Sequence, residues 1–106
     1  MALFLNEVWL REPSRSSFER FIEVFGSLRG NAETIGLDSR LFRLVAGPWM
    51  SIEEAKVIFV FDAPDATSTL PAFGQLVADG LLQKRRLTPI VDWDGAARFV
   101  DSLSSD

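Results

Sequence analysis

The sequence has no cysteine, no histidine and no tyrosine among its 106 residues. The first two absences exclude disulfide bonds, thiolate nucleophiles and imidazole acid–base catalysis, and they remove the usual ligands of structural zinc sites. General acid–base chemistry would fall to Asp, Glu, Lys or water held by Arg. Because transition metals depend heavily on His and Cys, the sequence predicts a fold that needs no metal and no redox cofactor.

The chain also lacks a long apolar run and an excess of positive charge. No segment approaches the ~20 apolar residues that cross a membrane. The apolar start is interrupted by Asn6 and Glu7 and follows no basic segment, so it does not fit a signal peptide. The net charge of −4 argues against nucleic acid as a partner, because phosphate contacts need a basic surface. These features predict a cytoplasmic protein that binds neither a membrane nor nucleic acid.

The composition that remains is that of one globular domain spanning residues 1–106. A hydrophobic content of 47% with 25% charged residues is typical of a folded chain. Nine Phe and three Trp supply bulky core material. A chain this short has little interior in which to bury it, which favours a partner that covers part of that apolar surface.

Apolar periodicity predicts four strands and three helices. Strand 2–10 is apolar on both faces, and strand 55–61 is the most apolar, which favours a central position. Gly47–Pro48 predicts a turn after the second strand, and Pro89 predicts an edge or bulge in the last one. The predicted elements are strand 2–10, a helix from Ser14 or Ser16 to Gly30, strand 40–46, strand 55–61, a helix from 65–69 to Gly80, strand 81–91, and a short helix capped by Asp92 or Asp94.

The order of these elements, βαββαβ with a terminal helix, predicts an α+β ferredoxin-like fold. Such a fold has one four-stranded antiparallel sheet with its helices on one face. The helices would cover only that face, whereas the strands are apolar on both. We therefore predict a homodimer, or a higher multiple, in which the uncovered faces of two sheets pack together.

Four segments together resemble a known family. They are Leu44–Trp49 (LVAGPW), the apolar strand 56–61, Val77–Leu81 (VADGL) and Leu87–Ile90 (LTPI). This pattern over residues 40–92 is similar to the YCII-related branch of the dimeric α+β barrel superfamily. Those proteins typically have Gly-Pro after the second strand and an acidic-Pro-Phe-x-x-x-Gly-Leu passage into the last. The resemblance implies the fold of a dimeric α+β barrel and does not specify a function.

The chain departs from that family at its suspected active site. Members with such a site carry a His on the first helix and an Asp in the acidic-Pro-Phe motif. This chain has no His, and Phe73–Leu76 (FGQL) stands where Asp-Pro-Phe would fall. Neither residue of the pair can therefore be carried over. The wider superfamily includes cofactor-free monooxygenases, some with an Asn on the first strand, and Asn6 has a comparable place. Its haem-degrading members need a His ligand, so that activity is not supported.

Three residues are candidates for ligand binding, each with a structural alternative. Asn6 would orient a ligand carbonyl or hydroxyl, or would pair with backbone or an interface partner. Arg43 would neutralise an anionic group, or would pair with Glu7 or another acid. Trp49 would close the mouth of a pocket, or would anchor a core or an interface. The run Lys84–Arg86 would steer an anionic substrate or protect a sheet edge, and strand alternation divides it between two faces.

Two functions remain open at this point. One is a non-catalytic or ligand-binding dimeric module. The other is a cofactor-independent enzyme, of monooxygenase or isomerase type, acting on an apolar or aromatic substrate. A pocket would lie between the sheet and the helices or within the dimeric barrel.

Overall fold

The computed structural model describes residues 2–103, which form one four-stranded sheet with three helices. The sheet has the order β2-β3-β1-β4, and every neighbouring pair is antiparallel. This confirms the predicted α+β ferredoxin-like fold, including the central position of β3 and the edge position of β4. The elements are β1 (Ala2–Leu10), α1 (Arg15–Gly26), β2 (Arg43–Ser51), β3 (Lys56–Ala63), α2 (Leu70–Ala78), β4 (Leu82–Ile90) and α3 (Trp93–Ser102), with 3₁₀ turns at Ser27–Arg29 and Ala32–Ile35.

Alternation along β1 separates the sheet into two faces. Phe4, Asn6, Val8 and Leu10 are buried on the side of α1 and α2, which we call the core face. The residues between them are only half-buried and point to the other side, which no helix of residues 2–103 covers. We call this side the open face; it consists of Leu3, Leu5, Glu7 and Trp9 of β1, with their cross-strand partners Lys56, Ile58, Val60 and Asp62 of β3 and Lys84, Arg86, Thr88 and Ile90 of β4.

Phenylalanine rings fill the space between the core face and the helices. Phe59 of β3 is fully buried, and its ring centroid lies 6.1 Å from that of Phe25 on α1 and 6.2 Å from that of Phe73 on α2. Phe42 and Phe61 extend the same cluster, with ring centroids 5.0 Å apart. Aromatic pairs at these distances stabilise a core beyond simple area burial. The cluster therefore joins both helices to the centre of the sheet.

Helix α1 begins at the first of the two predicted caps. The Ser14 hydroxyl accepts a hydrogen bond from the backbone N–H of Ser17 at 3.2 Å, which satisfies one of the free donors of the first turn. The helix ends at Gly26, earlier than the predicted Gly30, because the chain tightens there into the 3₁₀ turn.

The predicted turn at Gly47–Pro48 is wrong. Strand β2 runs through both residues, with a cis peptide bond between them and two shifts of register against β3. An edge strand tolerates this, since Pro has no N–H to donate and Gly47 can take its φ of +92°. The hairpin turn instead follows Ser51, so Trp49 lies in a strand and not at a hairpin tip.

Helix α3 stands apart from the rest of the fold. The Asp92 carboxylate caps it by accepting a hydrogen bond from the N–H of Gly95 at 2.6 Å. None of its ten residues, all of which the structure describes, is buried. Trp93 is 88% exposed and Phe99 is 62% exposed. The apolar side of α3 is therefore exposed and without a packing partner among residues 2–103.

Across residues 2–103, no helix combines the length and the apolar character needed to span a bilayer. The cytoplasmic location stays a prediction.

Candidate functional site

A polar centre interrupts the apolar core face. It consists of Asn6 from β1, Thr69 at the start of α2 and Arg85 from β4. The Arg85 guanidinium donates from Nε to Asn6 Oδ1 at 2.7 Å and from Nη2 to Thr69 Oγ1 at 2.7 Å. Asn6 is fully buried and Thr69 is 1% exposed. Three elements distant in sequence thus meet at one guanidinium.

The register of the sheet brings Arg85 to this position. Arg85 lies opposite Val8 on β1, and Leu87 lies opposite Asn6, so the two polar residues are diagonal neighbours on the core face. The guanidinium carbon lies 4.0 Å from the centroid of the Phe73 ring. This cation–π contact and the two hydrogen bonds hold the guanidinium in one orientation.

Part of this centre has no partner. Among the described residues, Asn6 Nδ2 and Arg85 Nη1 are buried and make no hydrogen bond. Burial lowers the pKa of Arg85 to about 10, which still leaves the group charged at neutral pH. No ion pair within residues 2–103 includes Arg85. The centre therefore holds a half-buried positive charge without a carboxylate.

The open face has its own charged groups, and those of β1, β2 and β3 form ion pairs. Lys56 Nζ donates to Glu7 Oε2 at 2.8 Å and lies 3.2 Å from Glu54 Oε2. The hydrogen bond from Lys56 lowers the pKa of Glu7, and the same bond raises the pKa of Lys56. The ammonium groups of Lys56 and Lys84 lie 5.1 and 4.6 Å from the Trp9 ring centroid. At the outer edge, Arg43 donates to Asp62, with Nε 2.9 Å from Oδ2.

The three predicted site residues do not all lie on one face. Asn6 is on the core face, opposite Phe59. Arg43 and Trp49 belong to β2, and their cross-strand partners Asp62 and Ile58 are on the open face. Arg43 is paired with Asp62, the acidic-partner alternative weighed for it, and Trp49 is 57% exposed. A pocket on one face of a single copy can thus include Asn6, or Arg43 and Trp49. Their roles in ligand binding stay predictions.

Sequence reasoning missed Arg85 and Thr69. In the sequence, Arg85 stands within a charge run. Because it lies two positions before Leu87, strand alternation places both side chains on one face. The structure divides the run as alternation requires, with Lys84 and Arg86 opposite Trp9 and Glu7 on the open face. Thr69 gives no signal of its own, since only the fold brings it to β4.

A groove of about 930 Å³ lies elsewhere, on the outer side of the helical layer. It runs between α1, the turn at Ala32–Ile35 and α2, and Arg20 faces Asp79 across it at 3.7 Å. None of the polar centre's residues lines it. Residues 2–103 contain no cluster of three or more acidic side chains arranged to hold a metal ion.

Comparison with solved structures gives a likeness at the level of the fold. The solved structure of protein Atu4242 from Agrobacterium tumefaciens is similar to this chain, with a TM-score of 0.48 and 13% sequence identity over 86% of this chain and 92% of that one. No family model and no curated protein matches the chain. A likeness this distant carries no argument about function, so the fold class rests on the sheet order itself.

Proposed function

We propose that the protein is a homodimeric binding module, in which the open faces of two sheets pack together as in the YCII-related dimeric α+β barrels. One observation carries the proposal: apolar side chains occupy the middle of a sheet face that no helix of residues 2–103 covers. Leu5 and Val60 pair at its centre, with Ile58 beside them, and all three are half-buried in the single copy. A second sheet would remove this surface from water.

The charges on the open face support burial against another copy. Glu7 pairs with Lys56, and Arg43 pairs with Asp62, so these four groups already have partners within one chain. Burying a paired charge is less unfavourable than burying a free one. Lys84 and Arg86 lie on the edge strand β4, where their side chains can extend to solvent at the rim.

The charged groups of the open face are better suited to binding than to proton transfer. General acid–base catalysis works best with a group whose pKa lies near the working pH. On the open face the pKa of Glu7 is lowered and that of Lys56 is raised, so both pKa values lie further from neutral pH than usual. These groups stay charged near neutral pH and are suited to structural pairing.

A cofactor-independent enzyme of monooxygenase or isomerase type is the second candidate. The buried donors of Asn6 and Arg85 favour it, because preorganised donors can stabilise negative charge that develops on a substrate oxygen. Turnover of an apolar or aromatic substrate that Arg85→Met abolishes would select this candidate, whereas binding without turnover selects the module.

The mass of the protein in solution tests the dimer. Light scattering at micromolar concentration should give twice the 11.8 kDa of one chain. Val60→Lys places a charge at the centre of the open face and should give a folded monomer. Val77→Lys makes the same change on the outer surface of α2, where Val77 is 42% exposed, and should stay dimeric. A wild-type mass of one chain, with circular dichroism showing a folded protein, would refute the proposal.

A further inference from the structure

We infer that the Asn6–Thr69–Arg85 centre binds the oxyanion group of a small molecule, a carboxylate or a phosphate. The inference deepens the ligand-binding part of the proposed function but needs no dimer, because all three residues come from one chain. It rests on features that meet at the Arg85 guanidinium: unpartnered donors, an unneutralised charge and an orientation fixed by two hydrogen bonds.

The groups without partners are all donors. The Nη1 atom of a guanidinium carries two N–H groups, and so does the Nδ2 atom of an asparagine amide. In Asn6 and Arg85 both atoms are buried and unpaired within the described chain. Each buried donor left without an acceptor destabilises the fold. What is missing is therefore a set of acceptor oxygens, which carboxylates and phosphates supply.

The unneutralised charge of Arg85 also indicates an oxyanion ligand. Arg43, the comparable arginine on the open face, has Asp62 as its partner, but within residues 2–103 Arg85 has only the neutral oxygens of Asn6 and Thr69. A cation shielded from water without a counter-charge is unfavourable. A bound water would supply an acceptor without neutralising the charge, whereas an oxyanion does both.

The Thr69 hydroxyl helps to hold the guanidinium. Thr69 is the N-cap residue of α2, but its backbone lies in the αR region and Pro71 in the first turn has no N–H, so its side chain makes no cap bond. Its Oγ1 accepts from Arg85 Nη2 at 2.7 Å instead. The bond fixes one end of the guanidinium and leaves Nη1 free for a ligand.

The geometry also leaves the free atoms poised for a ligand. The bonds to Asn6 and Thr69 use Nε and Nη2, and the Phe73 ring lies 4.0 Å from the guanidinium carbon. These contacts fix the plane of the guanidinium and leave Nη1 without a bond. A group held in place before binding loses little entropy when the ligand arrives. Arg85 is half-buried on the edge strand β4, but Nη1 itself is buried, so a ligand that enters from the side of the sheet must displace the side chains that cover this atom.

Titration with inorganic phosphate and with acetate tests the inference on the full chain. At constant ionic strength, the melting temperature should rise with one of the two anions and saturate, as expected for a ligand that binds only the folded state. Sodium chloride should give no saturable rise. Phosphate alone would identify a phosphate-bearing ligand, and acetate alone a carboxylate. Isothermal calorimetry should give one site per chain.

Variants separate this site from general surface charge. Arg85→Met removes the donors and the charge and should abolish saturable binding. Arg85→Lys keeps the charge without the fork of donors and should weaken binding by about tenfold or more. Arg29→Met, which removes an exposed arginine of the 3₁₀ turn outside this centre, is the control and should bind like the wild type. If Arg85→Met does not fold, Arg85→Lys and Asn6→Leu carry the test.

Three outcomes would overturn the inference: no saturable effect of either anion, equal binding by Arg85→Met or by the fallback variants, or a crystal grown in phosphate and acetate that shows only water at Nη1. The dimer is judged separately by mass. A monomer that binds the anion at Arg85 would refute the dimer and support this site, and a dimer that binds neither anion would do the reverse.

Discussion

Lys56 Nζ donates to Glu7 Oε2 at 2.8 Å on the open face, where Lys56 is the first residue of β3 and Glu7 lies on the neighbouring strand β1. Their side chains are only 12% and 16% exposed, although no helix of residues 2–103 covers this face. Trp9 lies opposite Lys56 and provides part of that cover. The pair thus places two charges, already matched to each other, in the surface that we propose to be an interface.

The stability of the folded protein should depend on this pair in a pH-dependent way. The pKa of Glu7 in the folded protein lies below its ordinary value of 4.5, so the contribution is full above that pH and is lost as the pH falls through the folded pKa. Glu7→Gln should therefore lower the free energy of unfolding at neutral pH, and the difference from wild type should shrink in acid. Urea unfolding over a pH series measures this. Glu53→Gln, at an exposed carboxylate outside the ion pairs of residues 2–103, is the control. A difference that stays constant with pH would contradict the prediction.

Gly47→Ala should destabilise the fold. A Cβ at Gly47 would lie 2.9 Å from the carbonyl oxygen of Ile58 and 3.1 Å from Phe59 Cβ, and the φ of +92° is unfavourable for alanine. We expect a loss of about 1–3 kcal/mol in the free energy of unfolding. The matched control is Gly74→Ala, in the exposed middle of α2, which has nothing within 4 Å and should gain about 0.5–1 kcal/mol. Losses of equal size at both positions would show that the strand geometry is not the cause.

The phenylalanine cluster should carry much of the stability. Phe59→Leu removes the ring that contacts Phe25, Phe61 and Phe73, and should cost about 1–3 kcal/mol in chemical unfolding. Phe99→Leu makes the same change on α3, where the ring is 62% exposed, and should change the stability of the monomeric form by less than about 0.5 kcal/mol. The comparison belongs in the Val60→Lys background if the wild type is dimeric. A large effect of Phe99→Leu in a monomer would mean that α3 packs onto the domain.

Loss of the α3 cap should act locally. Asp92→Ala removes the acceptor of the Gly95 N–H, and a lost cap costs about 1 kcal/mol of helix stability. Because no residue of α3 is buried, the main urea transition of a monomer should not move. Amide hydrogen exchange in residues 93–102 should speed up, while that of β1 and β3 should stay as in the wild type. A matching change in the central strands would contradict the independence of α3.

Patterns within single elements made the fold predictable. The doubly apolar strand at Ala2–Leu10 and the strand around Val57–Phe61 give the centre of the sheet, and Phe21 and Phe25 give the buried side of α1. The turn predicted at Gly47–Pro48 is wrong because Gly and Pro both favour turns when only the local sequence is considered. Only the neighbouring strand shows that they form an irregular part of an edge.

The candidate site was less predictable because it depends on register. Asn6 was recognisable as a polar residue in an apolar strand, but its partner lies 79 positions away in the sequence. Alternation places Arg85 on the same face as Leu87, yet the choice of Val8 as its neighbour requires the pairing of β1 with β4. Thr69 depends further on where α2 crosses the sheet.

Most Phe rings are buried and the Trp rings lie on outer surfaces, which has a spectroscopic consequence. With no tyrosine in the chain, fluorescence excited in the tryptophan band comes from Trp9, Trp49 and Trp93. The first two are on the open face, and the third begins the uncovered helix α3. Tryptophan fluorescence will therefore report events at these outer surfaces, and it does not report directly on the phenylalanine cluster of the core. An unchanged tryptophan emission would not show that the core is folded, and a large change in emission would not show that the core has unfolded.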